Sequence, residues 1–301
     1  LLNEITGGIN SQKPTQMVEA VTLLRELEST SPQMAAQLSK GGDAVTFARQ
    51  VGDFVSWGLT PPEAVQRTKD LREVPESTRN ARAAEFTRLK KAEDFDTEFE
   101  DIVGSEVFDA GIDDAEINPV MRGEFMSLYE VEYVAGGNIE SAKNAAIATV
   151  RGVWGVQHYD GEPVTMKFAP AKFYGRPELD PEQNSEWILE QAVDDILATD
   201  STVPLAGIDE TRIRLTLHPT QSNGSKPAYA VTLLPLPGQE GFSLGRTILG
   251  SDGFTAAVFV PNYSSSAAAR RWGENLAERK RLARALVGED EDTNSDFGGG
   301  F

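Results

Sequence analysis

The sequence predicts a mainly α-helical protein: a helical N-terminal domain, a small α+β domain with an antiparallel sheet, and a C-terminal amphipathic helix. Up to about residue 153, apolar residues recur every three to four positions, as on one face of a helix. From about Gly155, short runs rich in β-branched and apolar residues follow, and from Ser264 the helical spacing returns. The expected parts are a helical domain at 1–153, an α+β domain at 154–262, an amphipathic helix at 263–288 and an acidic, flexible tail at 289–301.

The helices of the first domain have explicit boundary signals. In Thr60-Pro61-Pro62-Glu63, a capping Thr precedes a Pro at the first helical position, and a Glu lies three residues after the cap. This pattern predicts a helix from Pro61 to about Leu71. The segment Pro75–Lys91 is charged with a narrow apolar side, so we expect it to lie on a surface or to bridge subunits. Further helices are predicted at 15–28, 43–58, 96–108, 116–134 and 139–153.

The second domain alternates strand-like runs with one helix. Residues 184–198 carry apolar side chains that surround one helix face, so this helix should pack on the sheet. Asn223-Gly224 is a strong reversal signal between two of the strands. The strands are predicted at 164–168, 212–217, 228–234 and 256–260.

Composition excludes several function classes. The 301 residues carry a formal net charge of −19, so the average surface repels polyanions and disfavours non-specific binding of nucleic acid. The absence of Cys excludes disulfides, thiolate metal sites and a cysteine nucleophile. No apolar stretch approaches the roughly 20 residues needed to cross a bilayer. Because the chain begins Leu1-Leu2 without Met, we expect it to be part of a longer protein, whose missing N-terminal region could carry lytic activity.

Motifs for catalysis, cofactors or metals are not found in the sequence. His158 and His218 lie in separate segments, and we interpret both as structural. The acidic stretch from Asp94 to Asp101 resembles a calcium loop, but Phe99 occupies the position of the required Gly. No Gly-x-Ser-x-Gly and no Gly-Lys-Ser/Thr phosphate loop occurs. We therefore predict a chain that is not an enzyme, with no catalytic, cofactor-binding or metal-binding residue.

One rival interpretation is a cell-wall lytic transglycosylase. These enzymes use a Glu as general acid, commonly in a Glu-Ser pair, and Glu140-Ser141 matches that pair. The pair opens an Ala-rich amphipathic helix, however, and the later Gly-Leu-Met-Gln type of element is missing. We therefore prefer the structural interpretation.

A second rival is a module that binds nucleic acid or membranes through a basic helix. Its candidate anion contacts lie around Trp272. They are Arg270, Arg271, Arg279, Lys280, Arg281 and Arg284. The same residues also fit the solvated face of an amphipathic helix, paired with Glu274, Glu278 or the acidic tail.

Two stretches resemble the C-terminal region of large internal virion proteins, the DNA-ejection proteins of short-tailed bacteriophages. The first includes Gln16-Met-Val-Glu-Ala20, Gly41-Gly-Asp-Ala-Val45 and Trp57-Gly-Leu-Thr-Pro-Pro-Glu-Ala-Val65. The second runs from Ala145 through Arg151-Gly-Val-Trp-Gly-Val156 and Val164–Tyr174 to Trp187-Ile-Leu-Glu-Gln191 and Asp194-Asp195. In the family pattern, a helix ends in a Trp-Gly-Val-like turn, and a Pro-x-x-Phe/Tyr-Tyr loop precedes a Trp-bearing helix. The resemblance spans Met17 to Leu234.

The resemblance implies a structural protein that forms part of an oligomeric virion core or of an envelope-spanning conduit for genome delivery. The implied location is inside the capsid above the portal, and later the host cell envelope. The implied partners are copies of the chain, other core and portal proteins, passing DNA without sequence-specific contact, and transiently the host envelope. Aromatic side chains bury large areas, so they are our candidate packing or interface anchors. They are Trp57, Trp154, Phe173, Tyr174, Trp187 and Trp272.

Overall fold

The computed structural model describes residues 2–11, 13–33, 35, 42–92, 118–199, 210–218, 227–235, 245–250, 253 and 255–264. The protein is mainly helical with a small antiparallel sheet, which confirms the predicted fold class. The chain divides into two compact units, residues 1–155 with 165–167 and residues 156–164 with 168–301. The sequence placed this boundary after Val153. The structure places it after Gly155 and assigns residues 165–167 to the first unit.

The first unit consists of helices packed around an apolar core. The described helices are α1 (Leu2–Ile9), α2 (Pro14–Thr30), α3 (Gly42–Ser56), α4 (Pro61–Glu73), α5 (Glu76–Ala92), α6 (Pro119–Gly136) and α7 (Ile139–Val153). One core cluster joins the first four helices through side chains such as Ile5, Leu24, Val51, Phe54 and Ala64. Among the described helices, none has the length and apolarity of a membrane span.

Side-chain caps set the predicted helix boundaries. At the start of α4, the Glu63 carboxylate accepts hydrogen bonds from Thr60 N at 2.9 Å and from Thr60 Oγ1 at 2.6 Å. These bonds lower the pKa of Glu63. At the start of α7, Asn138 Oδ1 accepts from Ser141 N at 2.9 Å. The preceding Gly137 has φ of 71°, the left-handed conformation that ends α6.

The second unit pairs a sheet with a helix. Residues 156–159 and 162–164 lie in the hairpin of β1 (Trp154–Tyr159) and β2 (Glu162–Lys167), whose turn residues Asp160 and Gly161 both have positive φ. The remaining elements are α8 (Pro170–Tyr174), α9 (Pro181–Thr199), a 3₁₀ turn (Glu210–Arg212), β3 (Ile213–Leu217), β4 (Tyr229–Leu233), β5 (Arg246–Thr247) and β6 (Val258–Phe259). β4 pairs antiparallel with β3, β5 and β6.

The core of this unit lies between α9 and the sheet, as predicted. Trp187 and Ile188 of α9 are fully buried in one cluster with Ile213 of β3 and with Tyr229 and Val231 of β4. Alternate residues of β3 and β4 contribute to it because successive strand side chains point to opposite faces.

Two elements of this chain differ from the pattern of the family that it resembles. Trp154-Gly-Val156 is the beginning of β1 and not a turn, and Pro170–Tyr174 is a short helix and not a loop. The strand forms because β2 supplies a pairing partner after a two-residue turn, which is a tertiary effect that the Trp-Gly-Val pattern does not encode. The helices predicted at 96–108 and 263–288, the Asn223-Gly224 reversal and the tail at 289–301 lie outside the described residues.

The outer edge of β3 is closed by a tyrosine. His218, directly after β3, donates its backbone N–H to Ala228 O at 2.8 Å. Hydrogen-bonded pairs alternate along an antiparallel ladder, so Thr216 and Arg214 also bond to β4. The backbone N–H and C=O of Leu215 therefore point away from β4. Tyr159 Oη accepts from Leu215 N at 3.3 Å and donates to Leu215 O at 3.4 Å. The guanidinium of Arg214 lies 4.5 Å from the centroid of the Tyr159 ring. One side chain thus satisfies both backbone groups of a buried strand residue.

We predict that Tyr159→Phe specifically exposes this strand edge. Loss of the hydroxyl leaves both Leu215 groups unpaired, which should cost about 1–3 kcal/mol of unfolding free energy. Hydrogen exchange should accelerate at the Leu215 amide but not at Thr216, which bonds to β4. Tyr174→Phe is the matched control, because its hydroxyl bonds to Pro227 O instead. Unchanged Leu215 exchange would show that Tyr159 does not close the edge.

Candidate functional site

A buried carboxylate joins four segments of the first unit. Glu124 Oε2 accepts from Trp154 Nε1 at 2.9 Å, and Oε1 accepts from Lys167 Nζ at 2.7 Å. Lys167 also donates to Ser56 O, at the end of α3. Only 14% of the Glu124 side chain and 20% of the Lys167 side chain are exposed. We call Glu124, Trp154, Lys167 and Ser56 the polar anchor, and its groups mainly satisfy one another.

Burial acts on the lysine of this anchor. It lowers the pKa of the Lys167 ammonium, while the hydrogen bond and charge of Glu124 act in the opposite direction. A lysine held by a carboxylate and a backbone carbonyl is typical of a structural ion pair. Sequence analysis identified Trp154 but not its partners, because no local pattern relates Glu124 to Lys167.

Two of the predicted anchors are buried inside their own units. Trp154 is 3% exposed and Trp187 is fully buried. The Trp187 Nε1 donates to Asn184 Oδ1 at 3.3 Å, and its ring meets Tyr263 edge-on at 5.2 Å between centroids. Both indoles therefore stabilise the core and offer little surface to a partner.

Phe173 and Tyr174 are half-buried on α8. The Tyr174 hydroxyl donates to Pro227 O at 2.6 Å, and the Phe173 ring lies 5.7 Å from that of Phe168. Tyr229, which sequence analysis did not single out, donates to Phe168 O at 2.7 Å. Burial raises the pKa of both Tyr174 and Tyr229, so these phenols act as neutral hydrogen-bond donors.

Trp57 differs from the other described anchors because it lines a groove. Its ring packs edge-on against Phe54 at 5.5 Å, and the side chain stays half-buried. The groove encloses about 560 Å³ between α5 and α6. Besides Trp57, its lining includes Leu71, Arg79, Asn80, Val131 and Val134. We call it the Trp57 groove.

An ion pair occupies a second cleft, between α4, α6 and α7. Arg67 Nε lies 3.0 Å from Glu132 Oε1, and Gln66 Nε2 donates to Asp70 Oδ1 at 2.7 Å. Two cavities of about 480 and 200 Å³ share Arg67, Asp70 and Glu132 in their linings. Burial raises the pKa of Glu132, Arg67 opposes this, and the Asp70 carboxylate adds to it. Sequence analysis missed this pair, since its members come from separate helices.

Glu140, the residue of the transglycosylase alternative, is exposed in the first turn of α7. It does not line the two cavities of the Arg67–Glu132 cleft. Its side chain lies on the solvent-exposed face of this helix.

The two histidines have structural contacts. The His218 side chain is buried, with Nε2 at 3.2 Å from Ala256 O. His158 bonds to Ser185 Oγ at 2.9 Å through its backbone N, and its ring Nδ1 is buried without a hydrogen-bond partner among the described residues. Within the described part of the chain, no group of three or more His, Asp or Glu side chains is placed to hold a metal ion.

The predicted basic cluster and Trp272 lie outside the described residues. An acidic face is described on α9, where Glu182, Glu186 and Glu190 follow one another at one-turn spacing. Burial and then the neighbouring carboxylates, including Asp180 and Glu210, raise the pKa of Glu186. This face is therefore unfavourable for polyanions.

Comparison with models of protein families, with curated proteins and with solved structures finds no match to this chain.

We predict that Glu124→Gln strongly destabilises the first unit. Removing one partner of a largely buried pair leaves the Lys167 charge uncompensated, which should cost about 2–4 kcal/mol of unfolding free energy in denaturant titration. Glu130→Gln, an exposed position on the same helix, is the control and should change it by less than about 0.5 kcal/mol. Equal effects of the two substitutions would show that the polar anchor does not stabilise the unit.

We predict that Asp70 and Arg67 move the pKa of Glu132 in opposite directions. Asp70→Asn should lower it and Arg67→Gln should raise it, as measured by carboxyl carbon NMR. Because the pKa of Glu132 in the folded protein lies above the ordinary 4.5, folding favours its protonated form. The contribution of Glu132 to the free energy of unfolding is therefore complete below pH 4.5. It is lost as the pH rises through the folded-state pKa. Shifts of the same sign in both variants would contradict the described cleft.

Proposed function

We propose that this chain is a structural, non-enzymatic protein that assembles with copies of itself and with other virion proteins. In this proposal it forms part of the internal core of a short-tailed bacteriophage, above the portal, or of the conduit that later delivers the genome through the host envelope. The resemblance described above suggests the setting, and the chain's own surface suggests the mode of action.

The observation that carries the proposal is the Trp57 groove. Trp154 and Trp187 are buried inside their own units, whereas Trp57 is half-buried and lines a groove of mixed apolar and polar residues. Half-exposed aromatic side chains in concave surfaces are typical anchors of protein interfaces. The groove borders α5, the charged helix that the sequence predicts to lie on a surface or to bridge subunits.

The negative net charge of the chain is compatible with a protein surface along which DNA slides. A net charge of −19 provides no general phosphate neutralisation, and the α9 face concentrates carboxylates. DNA that moves past such a protein adheres little. Charge alone does not select this function, because many unrelated proteins are acidic.

The rival functions have direct tests. A lytic transglycosylase would digest peptidoglycan as the isolated chain, and Glu140→Gln would abolish the digestion. Binding of DNA or anionic vesicles through the Arg270–Arg284 segment would weaken as salt rises, because such contacts release counterions. The first alternative depends on Glu140, which is exposed on α7, and the residues of the second lie outside the described part of the chain.

We predict reversible self-association of the full chain in sedimentation experiments. The weight-average mass should rise above the 32.7 kDa monomer as concentration increases, since interface contacts form by mass action. Only monomer at high concentration, with and without other virion core proteins, would contradict the proposed function.

A further inference from the structure

The last described residues of the chain lie against α9. Asn262 N donates to Gln191 Oε1 at 2.9 Å, and the ring of Tyr263 meets that of Trp187 edge-on at 5.2 Å between centroids. Trp187 lies about one turn before Gln191, so the chain passes these contacts in the direction of the N-terminus of α9. The segment that follows Ser264 therefore begins beside the first half of α9.

The same residues have the hydrogen bond of a helix start. Asn262 Oδ1 accepts from Ser264 N at 3.1 Å, the bond that a capping residue makes to the second position of a helix. This position agrees with the beginning of the amphipathic helix that the sequence predicts at 263–288. A helix that begins here and keeps the direction of the chain runs antiparallel to α9.

The accessible face of α9 is acidic. Between Pro181 and Thr199 the helix has five acidic residues and no Lys, Arg or His. Like charges at four-residue spacing destabilise a helix, and a cation placed beside them offsets the repulsion. Arg176, which lies over the Tyr263 ring, is already paired with Glu178. The carboxylates at this spacing are Glu182, Glu186 and Glu190.

The chain itself supplies cations at a matching distance. Residues 264–273 contain the pair Arg270-Arg271 and no acidic residue. A helix rises about 1.5 Å per residue, so it places Arg270 about 11 Å beyond Tyr263. By the same rise, Glu182 lies about 8 Å from Trp187 along α9. An arginine side chain is long enough to bridge this difference.

We propose that residues 264–273 dock antiparallel on the acidic face of α9 in the same chain. In the docked arrangement, Arg270 and Arg271 pair with Glu182 and Glu186. The contact neutralises the two arginines that begin the basic cluster, so they are withheld from DNA and from anionic lipid. It lies within one chain and does not depend on self-association.

The tether favours the chain's own segment over that of a second copy. Ser264 is held beside α9, and Arg270 follows six positions later. A short tether gives the segment an effective concentration in roughly the millimolar range, so exposed ion pairs suffice to hold it. Glu274 and Glu278, the alternative partners of the arginines, come later in the sequence, and pairing with them would not involve α9.

Hydrogen exchange of the full chain tests the contact at the amides of residues 267–273. Glu182→Lys should accelerate their exchange about fivefold, the effect of losing exposed ion pairs. Asp194→Lys is the matched control, because it changes the charge equally at an exposed site of the same helix, away from the path of the segment. With Asp194→Lys, exchange should stay within about twofold of the unsubstituted chain. Reversal of both partners, Glu182→Lys with Arg270→Glu and Arg271→Glu, should restore most of the protection.

Each outcome supports or overturns the contact. Acceleration by Glu182→Lys alone, with recovery in the reversal variant, supports it. Equal exchange in the unsubstituted chain and in Glu182→Lys overturns it. If Glu182→Lys acts by loosening α9 itself, the reversal variant, which keeps that substitution, will not recover, and the contact is overturned. Protection that is lost on dilution overturns docking within one chain, because a contact between copies depends on concentration.

Discussion

The first unit depends on one carboxylate that accepts two buried donors. Glu124 binds both the indole of Trp154 and the ammonium of Lys167, and Lys167 in turn reaches the carbonyl that ends α3. A buried ammonium without a counter-charge would be strongly unfavourable, so Lys167 can remain charged only where α6 supplies Glu124. This explains why residues 165–167 belong to the helical unit although they lie in a strand. The polar anchor fixes the ends of β1 and β2 against the helices.

The same requirement, that buried polar groups be satisfied, distinguishes core residues from candidate contacts. Trp154, Trp187 and Tyr229 all have hydrogen-bond acceptors inside their own unit. Three buried side-chain atoms have no hydrogen-bond partner among the described residues, namely Gln50 Oε1, Arg79 Nε and His158 Nδ1, and of these residues Arg79 lines the same groove as the half-buried Trp57. The proposal of a structural, self-associating protein rests on the groove that Trp57 lines.

Local sequence signals predicted most of the described helices. They could not predict contacts between residues that lie far apart in the chain. The Thr60–Glu63 pair marks a helix start because caps act within one turn, and α7 begins and ends as predicted, at Ile139 and Val153. β1 was missed because its strand conformation depends on pairing with β2. The Arg67–Glu132 cleft and the Trp57 groove join separate helices, and no spacing in the sequence relates their members. Trp57 was identified as an anchor from residue type alone, without its groove.

Hydrogen exchange of the full chain at low and high concentration tests the central claim most directly, because it locates the surface that assembly covers. The account predicts that assembly slows exchange in α5 and α6 around Glu76–Ala83 and Ser127–Val134, with little change at the exposed start of α7. Assembly that leaves exchange in both groove helices unchanged would contradict the claim that the Trp57 groove is the contact.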